Sequence, residues 1–275
     1  MAVRTEEEFF AIEPYKTFRD RFNVYAVKVV SPNGWTGDGY TTALGAVFTH
    51  GSSAHGDIDK CFKYAMKVPA IKDSKNLMVS VLVNARNSGG ITHMSESLQS
   101  GVAFTSSEGN NPEIFGMILR HEAGGHAFAF LDDEYYQHQE EPSAEYITHR
   151  KSMYEKYGWY SNIDFTNDPS KVKWSVFLSD ERYADQVGIF EGGSTFAKNA
   201  FRPTNHSMMN DHYEYFNAPS RWAIYKRIME LSGETASFEK FLEYDAVNRG
   251  QKQAFSAPRI RSDIKFEHTP PVVVP

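Results

Sequence analysis

Two histidines stand around a glutamate and a glycine pair in the stretch Arg120-His121-Glu122-Ala123-Gly124-Gly125-His126. Three consecutive carboxylates, Asp132, Asp133 and Glu134, follow six to eight residues past His126. Imidazole nitrogens and carboxylate oxygens are the ligands that hydrolytic zinc sites use, three from the protein with a fourth position left open. A glutamate directly after the first histidine is where such motifs carry their general base. The histidine spacing is one residue longer than usual. At i and i+4 two side chains stand roughly 40° apart around an α-helix, whereas at i and i+5 they stand roughly 140° apart. A π-type turn, closed by i→i+5 hydrogen bonds, would return His121 and His126 to one face. Two adjacent glycines cost a helix roughly 1 kcal/mol each relative to alanine, so Gly124-Gly125 predicts a backbone requirement at that point. Cys61 is the only cysteine, which excludes an internal disulfide and a thiolate cluster and leaves His and carboxylate as ligands. Asp132, Asp133 and Glu134 are all candidates for the third.

The elements that must position these groups are readable on either side. Asn111 suits an N-cap, Pro112 the first helical position and Glu113 the first turn, and Ile114, Phe115, Met117, Ile118 and Leu119 then bury the helix that leads to His121. Residues 76–84 form a nearly continuous apolar run, which predicts a strand buried on both faces. The polar, glycine-broken stretch 85–93 reads as a sheet edge able to hold an extended peptide, or as a simple loop. Residues 22–30, rich in β-branched and aromatic types, predict another strand, ended by the turn Ser31-Pro32-Asn33-Gly34. Residues 57–68 predict a helix. His50 and His55 lie in a glycine- and serine-rich loop and read as ordinary solvated residues. From 137 to 175 no clean period emerges, and 162–173 reads as loop. Gly188 to Gly193 suggests a tight turn, and Met208 and Met209 lie in a stretch that reads as plain core or as a methionine turn packed under a metal. Residues 217–232 predict a helix with Asn217 or Ala218 at its cap, Pro219 in its first turn and Gly233 beyond its end. A short amphipathic helix is expected at 237–248, and the tail 270–275 reads as a linker or an edge extension.

A chain of 275 residues is ample for a sizeable core. Its 29 Lys+Arg against 35 Asp+Glu give a formal net charge of -6, no basis for a nucleic-acid or anionic-membrane partner. No apolar run approaches the roughly 20 residues of a membrane span. The first residues lack the apolar stretch of a signal peptide.

Together with the 188–193 turn, residues 202–209 and Phe216-Asn217-Ala218-Pro219-Ser220-Arg221, the histidine stretch resembles the IgA-peptidase family of zinc metalloendopeptidases over most of residues 10–250. The family pattern, His-Glu-x-x-(Gly)-His followed by an apolar stretch ending Asp-Glu-Tyr, is met by His121, Glu122, His126, Asp133, Glu134 and Tyr135. The resemblance implies an α/β (α+β) fold, a zincin-like catalytic domain with a mixed sheet and the active-site helix. That domain is expected over 1–255, short of an N-terminal strand, with 256–275 as an extension or linker. The resemblance also implies Zn2+ as cofactor, a protein or peptide substrate, and a secreted, periplasmic or cell-surface bacterial protein. It makes His121, His126 and Asp133 the metal ligands and Glu122 the general base; the loop spacing of methionine-turn zincins favours Asp132 instead of Asp133. Tyr135, His212 and Tyr213 are the oxyanion-donor candidates. Two rival functions share these residues: a catalytically inactive zincin-like binding domain, and a zinc amidase acting on cell-wall peptides.

Overall fold

A computed structural model describes residues 1–34, 36, 39–48, 54–85, 89–107, 112–211, 215–249 and 269–275. The chain divides into two units, Met1–Phe128 with Ser262–Pro275, and Ala129–Arg261.

The first unit begins with α1 (Ala2–Phe9) and a short hairpin of β1 (Val47–Phe48) and β2 (Ala54–His55). Helix α2 (Ile58–Ala65) follows, capped by the Asp57 side chain, which accepts from the Lys60 N–H. Then come β3 (Met78–Val83), β4 (Gly90–Ser95), β5 (Ser100–Ser106), α3 (Pro112–Leu119) and a π-helix over Arg120–Phe128. β3 and β5 are parallel, with Met78 opposite Gly101 and Val83 opposite Ser106. β4 and β5 are antiparallel, with Gly90 opposite Thr105 and Ser95 opposite Ser100. A C-terminal strand, Val272–Val274, pairs parallel to the His93–Ser95 half of β4, so the sheet order is β3, β5, β4, C-terminal strand.

Burial in this sheet differs from the expectation. The apolar run 76–84 predicts burial on both faces, yet β3 ends the sheet among the described residues, with Met78, Val79, Ser80 and Leu82 only half-buried. Complete burial falls on β4 and β5, whose small and polar residues allow close approach of the π-helix. Gly101 shows why: a Cβ there would lie 2.4 Å from Ala127 Cα and 2.5 Å from Ala127 O. The core against α2 gathers Cys61, Val81, Val83, Ile91, Val102 and Phe104. The predicted strand at 22–30 pairs with no strand among the described residues, and the segment exposes Val24, Tyr25, Val27 and Val30. β-Branched composition favours extended backbone, but a strand also needs a partner edge.

The second unit contains β6 (Tyr136–His138), α4 (Ala144–Tyr157), α5 (Ser175–Leu178), β7 (Phe190–Gly193), β8 (Thr195–Arg202), α6 (Met208–Asp211), α7 (Ala218–Leu231), α8 (Phe238–Tyr244) and α9 (Ala246–Arg249). Its three-stranded sheet has the order β6, β8, β7. Helix α4 lies within the stretch read as aperiodic. Its apolar stripe is weak, since only Arg150 and Met153 are buried, but its cap residues are regular: Ser143 accepts from the Tyr146 N–H and Gly158 ends the helix at φ 73°. Helix α7 has the expected cap, with Asn217 Oδ1 accepting from the Ser220 N–H and proline in the first turn. Arg221 and Asp245 form a fully buried two-pronged ion pair at 2.7 and 2.8 Å that ties α7 to the α8–α9 connection. Among the described residues no helix is long and apolar enough to cross a membrane.

Candidate functional site

The π-helix forms where the glycine pair predicted a widened turn. With hydrogen bonds that close i→i+5, the turn brings His121 and His126 to one side, their Nε2 atoms 3.1 Å apart and their rings edge-to-face at 4.7 Å and 82°. Both rings are buried. Two imidazole nitrogens converging on one point in the interior are a natural pair of metal ligands. A widened turn shifts carbonyls away from their usual intrahelical donors. The Gly124 carbonyl accepts from the Tyr15 hydroxyl at 2.6 Å, and Tyr15 is itself held edge-on to Phe128 and Phe22. At the start of the turn, Arg120 pairs with Glu8 of α1 at 2.8 Å.

Glu122 is buried beneath β4. The Thr92 hydroxyl lies 2.7 Å from Glu122 Oε2 and 2.9 Å from the Glu122 carbonyl oxygen. Gly90, two residues earlier on β4, leaves the space that the side chain occupies: a Cβ there would meet Glu122 Cγ at 2.7 Å and Phe104 O at 2.8 Å. Strand and π-helix thus fix this carboxylate from two positions on one face.

Past the π-helix the backbone turns at Phe130, which has φ 52° and stacks on Trp159 at 4.2 Å, with the Arg227 guanidinium over its ring. The three carboxylates that follow have different surroundings. Asp132 accepts from Ser194 Oγ at 2.6 Å and from the Asp133 N–H at 3.0 Å, and lies 3.6 Å from Arg150 Nε. Its main chain is clasped by Asn162, whose amide bonds both the Asp132 N–H and carbonyl. Glu134 is wholly buried and accepts from Ser207 Oγ at 2.6 Å, Asn162 Nδ2 at 2.9 Å and Asn217 Nδ2 at 2.9 Å. Burial pushes its pKa up, against the pull of those donors. Asp133 is held through its main chain, its carbonyl accepting from the Ser194 N–H at 2.7 Å. His121, His126 and Asp133 each offer one ligand atom, and these atoms all lie within 4.8 Å of one another.

The other predicted residues are placed as follows. Tyr135 is buried, and its carbonyl accepts from the Thr195 N–H. Met208 and Met209 are fully buried at the start of α6, and the Met209 carbonyl accepts from the Glu134 N–H at 2.7 Å. The stretch 188–193, expected as a tight turn, instead holds the whole of β7, and only its last residues, Gly192 and Gly193 at φ 100° and 155°, turn the chain before Ser194. His50, His212, Tyr213 and the N-cap Asn111 lie outside the described residues. Sequence reasoning missed Thr92, Tyr15, Asn162, Ser194 and Ser207. None stands at a motif spacing, and only the fold brings them to the carboxylates and the turn. Asn217 was visible as a helix cap but not as a donor to Glu134.

The IgA Peptidase M64 family model matches residues 1–181, which include the π-helix and all three carboxylates. The chain belongs to that family. No curated protein matches it. Membership in the IgA peptidase M64 family makes the protein a peptidase, a hydrolase of peptide substrates, and the mixed α/β architecture fits a peptidase domain of that family. The family is one of metallopeptidases, and the buried His-His-Asp group is the set of residues suited to a metal.

Proposed function

We propose that this M64 family member is a zinc-dependent endopeptidase of the zincin type, in which His121, His126 and Asp133 hold the metal and Glu122 is the general base. The observation that carries the reading is the convergence of those three buried side chains next to a buried glutamate. Two neutral imidazoles and one carboxylate match the donor set of a catalytic zinc site, which keeps a position open. The choice of Asp133 over its neighbours is supported by the hydrogen bonds that engage the carboxylates of Asp132 and Glu134 in the protein interior.

A zinc ion held there would supply a Lewis acid for the scissile carbonyl and would acidify the attacking water toward neutral pH. The remaining work falls to the chain. Glu122 accepts the proton of the attacking water and delivers it to the departing amine, a general acid-base role worth roughly 10²–10⁴-fold in rate. Burial of Glu122 and both histidines keeps bulk water from competing for those protons. We place the protein in the secreted, periplasmic or cell-surface compartment, which fractionation of a producing cell tests.

Cleavage of an unstructured protein substrate by purified protein, before and after chelation and zinc return, tests the enzyme reading. Activity should vanish with the metal, return with zinc, and drop by at least roughly 10²-fold in Glu122→Gln. Protein that folds without stoichiometric metal, or that is indifferent to Glu122→Gln, would favour a non-catalytic binding domain. Hydrolysis confined to cell-wall peptides would favour the amidase.

A further inference from the structure

We infer that Thr92 is a positioning residue that clamps the Glu122 carboxylate in its working orientation, an inference that rests on the general-base reading above. Thr92 Oγ1 reaches two atoms of one residue, Oε2 at 2.7 Å and the main-chain carbonyl at 2.9 Å. A hydroxyl has a single hydrogen to donate, and an ionised carboxylate is the stronger acceptor, so Oε2 receives it. The main-chain carbonyl beside it is a second, weaker acceptor for the same hydrogen, so the hydroxyl has no other role at this point than to donate toward Glu122. The carboxylate is thereby tied to β4 through a side chain that lies 30 residues away in sequence.

Thr92 is suited to hold rather than follow. It is fully buried, its position opposite Ala103 belongs to the β4–β5 ladder, and its branched Cβ restricts rotation about χ1. The space below is closed as well, since Gly90 approaches Glu122 Cγ so closely that a methyl group would not fit. Glutamate has three rotatable side-chain bonds, and a general base must sit within hydrogen-bond reach of the proton it takes. Without the hydroxyl, Oε2 loses the donor that holds it in that position while the metal ligands on either side of Glu122 stay in place. The effect expected is therefore on turnover rather than on metal content or substrate affinity.

The test compares Thr92→Val, Thr92→Ser and Glu122→Gln in the zinc-loaded enzyme, measuring kcat and KM separately, metal content by elemental analysis, and the Glu122 rotamer by crystallography. Thr92→Val keeps the shape and loses the donor. It should lower kcat by roughly 10²-fold, the scale of a misplaced catalytic group, with KM and bound zinc within about twofold of the parent. Its crystal structure should show Oε2 displaced. Thr92→Ser should recover most of kcat and restore the rotamer. If Thr92→Val does not fold, Thr92→Ala is read against Thr92→Ser with the same expectation. Parent-like kcat in Thr92→Val beside an inactive Glu122→Gln overturns this inference alone, as does a serine variant no better than valine. An active Glu122→Gln overturns the general-base reading and the inference with it.

Discussion

Replacing Glu134 by glutamine tests how the carboxylate next to Asp133 holds that residue in place. Glu134 Oε1 accepts from Asn162 and Asn217 at 2.9 Å, and Oε2 accepts from Ser207 at 2.6 Å and again from Asn217 at 2.9 Å. A glutamine loses least with its carbonyl in place of Oε1, because the Ser207 hydroxyl can reverse and accept from the new amide. The Asn217 amide then faces another amide where it had an acceptor, and the short charged bond to Ser207 becomes neutral. Hydrogen bonds to charged groups are worth about 1.5–3 kcal/mol, and because burial disfavours the ionised form, relief from burying that charge offsets most of this at neutral pH and leaves a net loss of about 1 kcal/mol. Urea unfolding of the metal-free protein at neutral pH measures it. Zinc affinity by chelator competition should also fall by roughly 10-fold, because groups that orient a ligand are worth 10–100-fold in affinity. The pH dependence has a fixed sign. Burial raises the folded-state pKa above the ordinary 4.5, so the folded protein binds this proton more tightly than the unfolded chain. The stability this contributes is complete below pH 4.5 and is lost as pH rises through the folded value, so the parent's advantage over Glu134→Gln widens on acidification. Parent-like stability together with parent-like zinc affinity in Glu134→Gln would refute the reasoning.

Three further substitutions or treatments follow from the same geometry. Tyr15→Phe removes the 2.6 Å donor to Gly124 and should cost about 1–2 kcal/mol in thermal unfolding, with weaker zinc binding by competition; no change in either would show that the turn holds its shape unaided. Gly90→Ala drives a methyl group into Glu122 Cγ and should cut turnover by roughly 10²-fold while circular dichroism stays parent-like; full activity would contradict the described approach of β4 to the π-helix. Burial pushes the Cys61 thiol up to about 12, so a thiol reagent at pH 8 should label the native protein far more slowly than the urea-unfolded chain, and equal rates would refute its burial.

The widened turn was legible because Gly124-Gly125 and the histidine spacing state the same backbone demand twice. The cap of α7 was legible for a similar reason, since asparagine and proline have local roles that tertiary contacts seldom change. Burial within the sheet was not. Hydrophobicity marks 76–84 as the interior strand, whereas the small residues of β4 and β5 face the close approach of a helix, and that pairing is a property of two distant segments. The segment at 22–30 carries strand composition without a partner strand among the described residues, because pairing depends on an edge elsewhere in the chain. Nor do three consecutive carboxylates say which one points where. The positive φ at Phe130 and the donors Ser194, Asn162, Ser207 and Asn217 distinguish them, and those donors lie 28 to 83 residues away from the carboxylates they meet.

Anomalous diffraction at the zinc absorption edge, from crystals of zinc-loaded protein, tests the central claim most directly. The account predicts one fully occupied peak bonded to His121, His126 and Asp133, with the Glu122 carboxylate beside the open position and Asp132 and Glu134 still in their hydrogen bonds. A peak bonded to Asp132 or Glu134 instead, or none at the two histidines, would contradict it.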